Sequence, residues 1–206
     1  MTPPLTSLGR RALLAAPLLP VIAMPARAQI SPEAASAFIH STGEELVAVL
    51  NSRDPLEERR ARVADILRRA VDIEGTGRFV LGRWWRVASA EEQAEYLRLF
   101  EQTLIRNLAA RFGEFQGVRF SVGRSQARSE DDVLVTTEVQ PADGAAVILD
   151  WRVGLVDGRP QIVDLVAEGT SLRLTQRSEY SSVIQRGGGR VAALLDAMRN
   201  LLARGG

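Results

Sequence analysis

Val147-Ile148-Leu149-Asp150-Trp151-Arg152-Val153-Gly154-Leu155 carries an apolar side chain at every odd-numbered position. A period of two belongs to a strand with one buried face, because successive side chains on a pleated backbone point to opposite sides. The neighbouring stretches repeat it. Val118, Phe120 and Val122 alternate with polar residues on one side, as do Val133, Val135, Thr137 and Val139. On the other side, Ile162, Asp164 and Val166 oppose Val163, Leu165 and Ala167. Asp143-Gly144 and Asp157-Gly158 are tight-turn dipeptides between runs. The pattern predicts a four-stranded antiparallel meander over residues 115–168, with one apolar face covered by helices.

Upstream and downstream of this region the period is helical. Ser31-Pro32-Glu33 supplies an N-cap and a proline at the first helical position. Asp54-Pro55-Leu56-Glu57 reads as a capping box for a second helix, and Asp72 as the cap of a short third one carrying Phe79, Val80 and Trp84. Ser89 with Glu92 opens a long helix whose Tyr96, Leu97, Phe100, Leu104, Leu108 and Phe112 form one stripe. Thr170 or Ser171 caps another helix, Gly187-Gly188-Gly189 breaks it, and a last amphipathic helix follows. The predicted fold class is α+β: helices over 31–113, the sheet over 115–168, and C-terminal helices over 170–204, all in one domain spanning 29–206.

Residues 1–28 read as a cleaved export signal. Arg10 and Arg11 precede an apolar run over residues 12–23 that is shorter than the roughly 20 residues needed to span a bilayer. Ala26-Arg27-Ala28 then fits a signal-peptidase site. The arginine pair is compatible with twin-arginine export and the remainder with general secretion. Both lead to the periplasm. The signal holds three of the 26 basic residues and no acidic one, so the rest of the chain has 23 basic against 25 acidic residues. That balance, with no basic run, excludes a nucleic-acid or anionic-surface footprint legible in sequence.

The chain is poor in reactive groups. It has no cysteine and no lysine, which excludes disulfides, thiolate metal sites, Schiff bases and a P-loop lysine. His40 is its one histidine, too few for the usual zinc or copper sites, so neither a metal nor a cofactor is expected. Asp150, Asp164 and Glu168 on strands, with Tyr96 and Tyr180, leave an acid–tyrosine enzyme as the alternative. Nothing in their spacing brings an acid to a tyrosine, and no catalytic residue is assigned.

Two blocks carry a family resemblance. Arg78-Phe79-Val80-Leu81-Gly82-Arg83-Trp84-Trp85-Arg86, leading into Ser89-Ala90-Glu91-Glu92-Gln93, is the first. The second is Val163-Asp164-Leu165-Val166-Ala167-Glu168-Gly169-Thr170-Ser171-Leu172, followed by Gln176-Arg177-Ser178-Glu179-Tyr180. Both resemble the MlaC, or toluene-tolerance, family of periplasmic phospholipid shuttles, over nearly the whole chain after residue 30. The resemblance implies a curved NTF2-like sheet and helices enclosing an apolar cavity. It also implies passive ferrying of phospholipid between an outer-membrane lipoprotein complex and an inner-membrane ABC-type transporter, which maintains outer-membrane lipid asymmetry. Another lipid such as a hopanoid, or a small apolar substrate of an NTF2-like enzyme, are the other readings.

A carrier must keep lipid tails dry. Each buried CH₂ is worth about 0.8 kcal/mol, so one long chain represents on the order of 12 kcal/mol. The inward strand faces and the helical stripes nominate Trp84, Leu97, Phe100, Leu104, Phe120, Val135, Leu149, Trp151, Val153, Ile184 and Leu194 as cavity lining. Arg83, Arg86, Arg173 and Arg177 are candidates for a headgroup phosphate, and the helix cap at Thr170 and Ser171 for a second anion contact.

Overall fold

The computed structural model describes residues 29–113, 117–129, 131–142 and 144–204, with the side chains of 111–113 excepted. The expected export signal, the Phe112 side chain and Asp143 of the first turn dipeptide lie outside the described residues.

The fold is α+β. Helices α1 (Pro32–Leu50), α2 (Leu56–Ala70), α3 (Ile73–Leu81) and α4 (Ala90–Gly113) precede the sheet. A single 3₁₀ segment, Gly82–Arg86, joins α3 to α4. The strands β1 (Arg119–Ala127), β2 (Asp132–Gln140), β3 (Val147–Val156) and β4 (Arg159–Ala167) pair antiparallel in sequence order. A two-residue strand β5 (Thr170–Ser171) then adds to β4. The sheet therefore has five strands rather than the four expected. The chain reverses through Glu168 and Gly169, both at positive φ, and pairs once more before entering helix α5 (Leu172–Arg186). Helix α6 (Val191–Arg204) follows the glycine break.

Caps explain most helix starts. Ser31 accepts from the Ala34 amide at 3.1 Å and Asp72 from the Gly75 amide at 2.8 Å. Ser89 and Glu92 form the reciprocal capping box, with bonds of 3.2 and 3.0 Å. The box expected at Asp54 does not form. Its carboxylate is taken by Ser52 at 2.8 Å and Arg62 at 2.5 Å, and Pro55 stands at the N-cap without a side-chain bond. Trp84 also falls outside α3, in the 3₁₀ segment, because Gly82 ends the helix at φ 59°. A positive φ favours glycine, and a Cβ there would meet the Arg177 guanidinium at 2.9 Å.

Three apolar clusters result, and their membership decides which helices face the sheet. One joins α3, α4, α5 and α6 around Tyr96, Phe100, Ile184 and Leu194. A second joins α1, α2 and α4 through Leu46, Val63, Leu67 and Ile105. The third lies on the sheet, where Val133, Val135, Trp151, Val153 and Ile162 meet Ala35 and Ile39 of α1. The sheet is roofed mainly by α1, while α4 packs on α2, α3 and α6. Register shifts between Val122 and Ser125 and between Arg152 and Val153 interrupt the ladders of the curved sheet, as β-bulges do.

Candidate functional site

An apolar pocket lies between α1 and the sheet. Ile39, Gly43, Leu46, Val47 and Leu50 form its roof, recurring at the spacing of one helix face. Val118, Phe120, Val139, Leu149, Trp151 and Ile162 form the floor, and Leu67 of α2 closes one side. Among the described residues no charged side chain lines it, and Thr42 supplies the one hydroxyl. The indole N–H of Trp151 donates to Thr137 Oγ1 at 2.8 Å, and that hydroxyl in turn donates to the Leu149 carbonyl at 3.3 Å. The indole N–H in the floor is thus satisfied within the sheet, and the surface shown to the pocket is almost wholly carbon.

The pocket is narrow as it stands, with a cavity volume of about 50 Å³. Pockets for small ligands run to about 300–1,000 Å³. The Phe120 ring lies across it against α1: a Cβ built on Gly43 would fall 2.3, 2.4 and 2.8 Å from Cε1, Cζ and Cδ1 of that ring. Gly43 sits inside α1, where glycine costs about 1 kcal/mol relative to alanine. Here it lets an aromatic ring lie directly on the helix backbone. Asn51 holds the C-terminal end of α1 to the sheet, donating to the Val118 carbonyl and accepting from its amide, both at 3.1 Å.

Of the eleven nominated lining residues, the structure brings Phe120, Leu149 and Trp151 into this pocket. Val135 and Val153 are buried in the same sheet cluster without lining it. Trp84, Leu97, Phe100, Leu104, Ile184 and Leu194 belong to the separate helical cluster. These six lie there because α4, α5 and α6 pack mainly on helices, so their apolar stripes meet one another rather than the sheet. Sequence reasoning missed the α1 face. Its signal was a glycine inside an apolar stripe at 39, 43, 46, 47 and 50.

The nominated cationic residues divide in two. Arg83, Arg86 and Arg177 line a surface recess of about 340 Å³ with Arg78, Gly82 and Trp85. Arg173 and the cap at Ser171 are engaged elsewhere. Asp164, only 5 % exposed, accepts from Ser171 Oγ at 2.6 Å and from the Arg173 amide at 3.2 Å. The Arg173 Nε stands 3.3 Å from the same carboxylate. At the start of α5, where an anion contact at Thr170 and Ser171 was expected, the Arg173 amide is taken by this carboxylate and the Leu174 amide by Ser171 Oγ at 3.2 Å. Burial holds the Arg173 pKa below its ordinary value, with nearby Arg152 adding to the effect.

The tyrosines are core. Tyr96 donates to the Gly77 carbonyl at 2.9 Å, and Tyr180 packs edge-on against its ring. Burial pushes both phenol pKa values well above the ordinary range. Of the strand acids, Asp150 accepts from Thr136 at 2.5 Å and Asp164 is held as described. Neither is joined to a tyrosine. His40 is exposed and lies 3.3 Å from Glu44, one helical turn on. Among the described residues no group of acids and histidine is placed to hold a metal ion.

The site is thus an uncharged apolar pocket between a bent antiparallel sheet and a helical roof. The chain belongs to the MlaC protein family, whose sequence model matches residues 40–200. Its fold is also that of a phospholipid-binding protein from Ralstonia solanacearum, solved in complex with a phospholipid. That structure is 23% identical and has a TM-score of 0.73, over 82% of this chain and 97% of the other.

Proposed function

We propose that this chain is a periplasmic phospholipid carrier. An N-terminal signal over residues 1–28 exports it by the twin-arginine or general route, and residues 29–206 form one lipid-binding domain. The carrier takes acyl chains between α1 and the sheet, and passes lipid between an outer-membrane lipoprotein complex and an inner-membrane ABC-type transporter. Energy and direction come from those partners. The traffic maintains outer-membrane lipid asymmetry.

The observation that carries this reading is the pocket lining, which among the described residues holds no charged side chain and whose Trp151 N–H is bonded to Thr137. Such a surface suits hydrocarbon and tolerates different tails. Family membership and the phospholipid seen with the Ralstonia protein support it. Binding a tail requires the pocket to widen from its present volume, by displacement of the Phe120 ring and of the α1 segment above it. Among the described residues no helix is long and apolar enough to cross a membrane, which accords with a carrier.

Native mass spectrometry of the 29–206 polypeptide, purified without detergent, with lipid analysis of an organic extract, tests the proposal. Co-purified phospholipid at fixed stoichiometry is the expected result and reports how many tails are held. A hopanoid in the extract would reassign the cargo. A protein that is reproducibly lipid-free and takes no lipid from liposomes would overturn the carrier.

A further inference from the structure

The basic recess lies apart from the apolar pocket and shares no lining residue with it. It gathers Arg78, Arg83 and Arg86 from the α3–3₁₀ segment and Arg177 from α5. Glu74 neutralises Arg78 at 2.5 Å, but among the described residues Arg83, Arg86 and Arg177 form no ion pair with a carboxylate. Arg83 and Arg177 are held by an aromatic face rather than by an anion, and Arg78 stacks on one as well as pairing with Glu74. Arg83 lies 4.6 Å from the Trp84 ring centre, Arg177 5.0 Å from Phe79, and Arg78 5.1 Å from Trp85. Stacking fixes the cations and leaves their N–H donors free for an oxyanion. Like charges gathered in this way repel until an anion joins them.

The surroundings narrow the choice of anion. Val87 and Leu174 are the most exposed large apolar side chains described, at 68% and 55%. Val87 follows Arg86 directly, and Leu174 stands one turn before Arg177 on α5. Trp85 contributes an amphipathic ring to the recess itself. Arginines that bind phosphate, an indole and exposed aliphatic side chains together suit the level of phospholipid headgroups. The chain after residue 28 has a slight acidic excess, so attraction to an anionic surface must come from this local cluster.

We propose that the recess is a membrane-contact site, in which Arg83, Arg86 and Arg177 take the phosphates of an anionic phospholipid bilayer while Val87 and Trp85 enter the headgroup layer. The site would hold the carrier at the bilayer surface in which its donor and acceptor complexes sit. It rests on the carrier reading only for the choice of phospholipid over other phosphates.

Vesicle co-sedimentation of the full 29–206 polypeptide tests it, comparing phosphatidylcholine vesicles with vesicles that also contain phosphatidylglycerol. Binding is expected only to the anionic vesicles and should weaken as salt rises. Each arginine near such a surface contributes a roughly five-fold factor in affinity, so Arg83→Gln with Arg86→Gln should cost about 25-fold. Val87→Asp, at a solvent-exposed position, should lower binding without disturbing the fold and serves if the double variant is unstable. Both variants should retain co-purified lipid as the parent does, which separates failure of the membrane site from failure of the tail pocket. Equal binding to both vesicle types, or variants that bind as the parent, would overturn the proposal. Calorimetric binding of inorganic phosphate without vesicle binding would overturn it too, and would assign the recess to a soluble anion.

Discussion

Gly43→Ala is the sharpest probe of the pocket, because its sign depends on one other side chain. In an ordinary helix interior the change stabilises by about 0.5–1 kcal/mol, since alanine has less backbone entropy to lose. At position 43 the new Cβ would stand 2.3 Å from Phe120 Cε1, well inside van der Waals contact, so the ring must move. Overpacking of this kind costs about 1–3 kcal/mol. The net effect is a loss of about 1 kcal/mol, or a fall in Tm of about 2–4 °C for a domain of this size. Removing the ring reverses the sign. In a Phe120→Ala background the space is open, only the helix term remains, and Gly43→Ala should raise Tm by about 2–4 °C.

The coupling between the two positions is then about 2 kcal/mol, within the range found for residues in contact. Differential scanning calorimetry of the four proteins in the cycle measures it. The same cycle reads function. The added methyl should push the ring off α1, and the cavity of about 50 Å³ offers it little space, so the contact between α1 and the sheet should loosen. Transfer of a fluorescent phospholipid from Gly43→Ala protein to vesicles should therefore be faster than from the parent. Destabilisation by Gly43→Ala of equal size in both backgrounds would refute the Gly43–Phe120 contact. A clear coupling with unchanged transfer would refute the loosening alone.

Leu149→Asp places a charge on the half-buried floor of the pocket and should abolish lipid retention in a protein that still folds, read by native mass spectrometry. Leu104→Ala, in the helical cluster, should instead lower the urea midpoint and leave lipid content unchanged. Asp164→Asn removes a buried carboxylate from Ser171, the Arg173 amide and the Arg173 guanidinium, and should cost about 3–5 kcal/mol by urea denaturation. The Arg199 guanidinium binds Glu95 at 2.8 and 2.6 Å and holds that carboxyl below its reference pKa of 4.5. A depressed carboxyl contributes stability above 4.5 that is lost as pH falls through the folded-state value. Arg199→Ala should consequently flatten the acid side of a Tm-against-pH curve while leaving its shape above pH 4.5 unchanged.

The strand alternation and the Ser31, Asp72 and Ser89 caps were legible because each depends on residues close in sequence. Partner choice was not. The stripe Tyr96-Phe100-Leu104 states that α4 has an apolar face, and it says the same whether that face meets a sheet or helices. The α1 roof was harder to see because its key residue lacks a side chain, and its meaning depends on Phe120, 77 positions away. The same limit applies to charge. Arg83 and Arg86 adjoin in sequence, but only folding brings Arg177 beside them, and only folding shows that Asp164 already occupies the start of α5.

The narrowness of the pocket is what the energetics of an unloaded carrier require. A dry void of about 300 Å³ would cost about 7 kcal/mol at about 24 cal/mol per Å³. Net stabilities of domains are about 5–15 kcal/mol, so a rigid, permanently open cavity would leave the unloaded protein near unfolding. Filling that void with water offers little relief where the lining has so few polar atoms to bond it. The remaining solution is collapse, and a ring resting on a helical glycine achieves it with a movable part. Phe120 is only partly buried and has two torsions to turn, whereas Trp151 is pinned through Thr137. An acyl chain that comes from a lipid donor is already out of water, so the hydrophobic gain on the order of 12 kcal/mol per chain is matched on both sides of the transfer. Only the displacement of one half-buried ring and the parting of α1 from the sheet then separate the empty from the loaded state, and Phe120 in the pocket keeps the empty state packed.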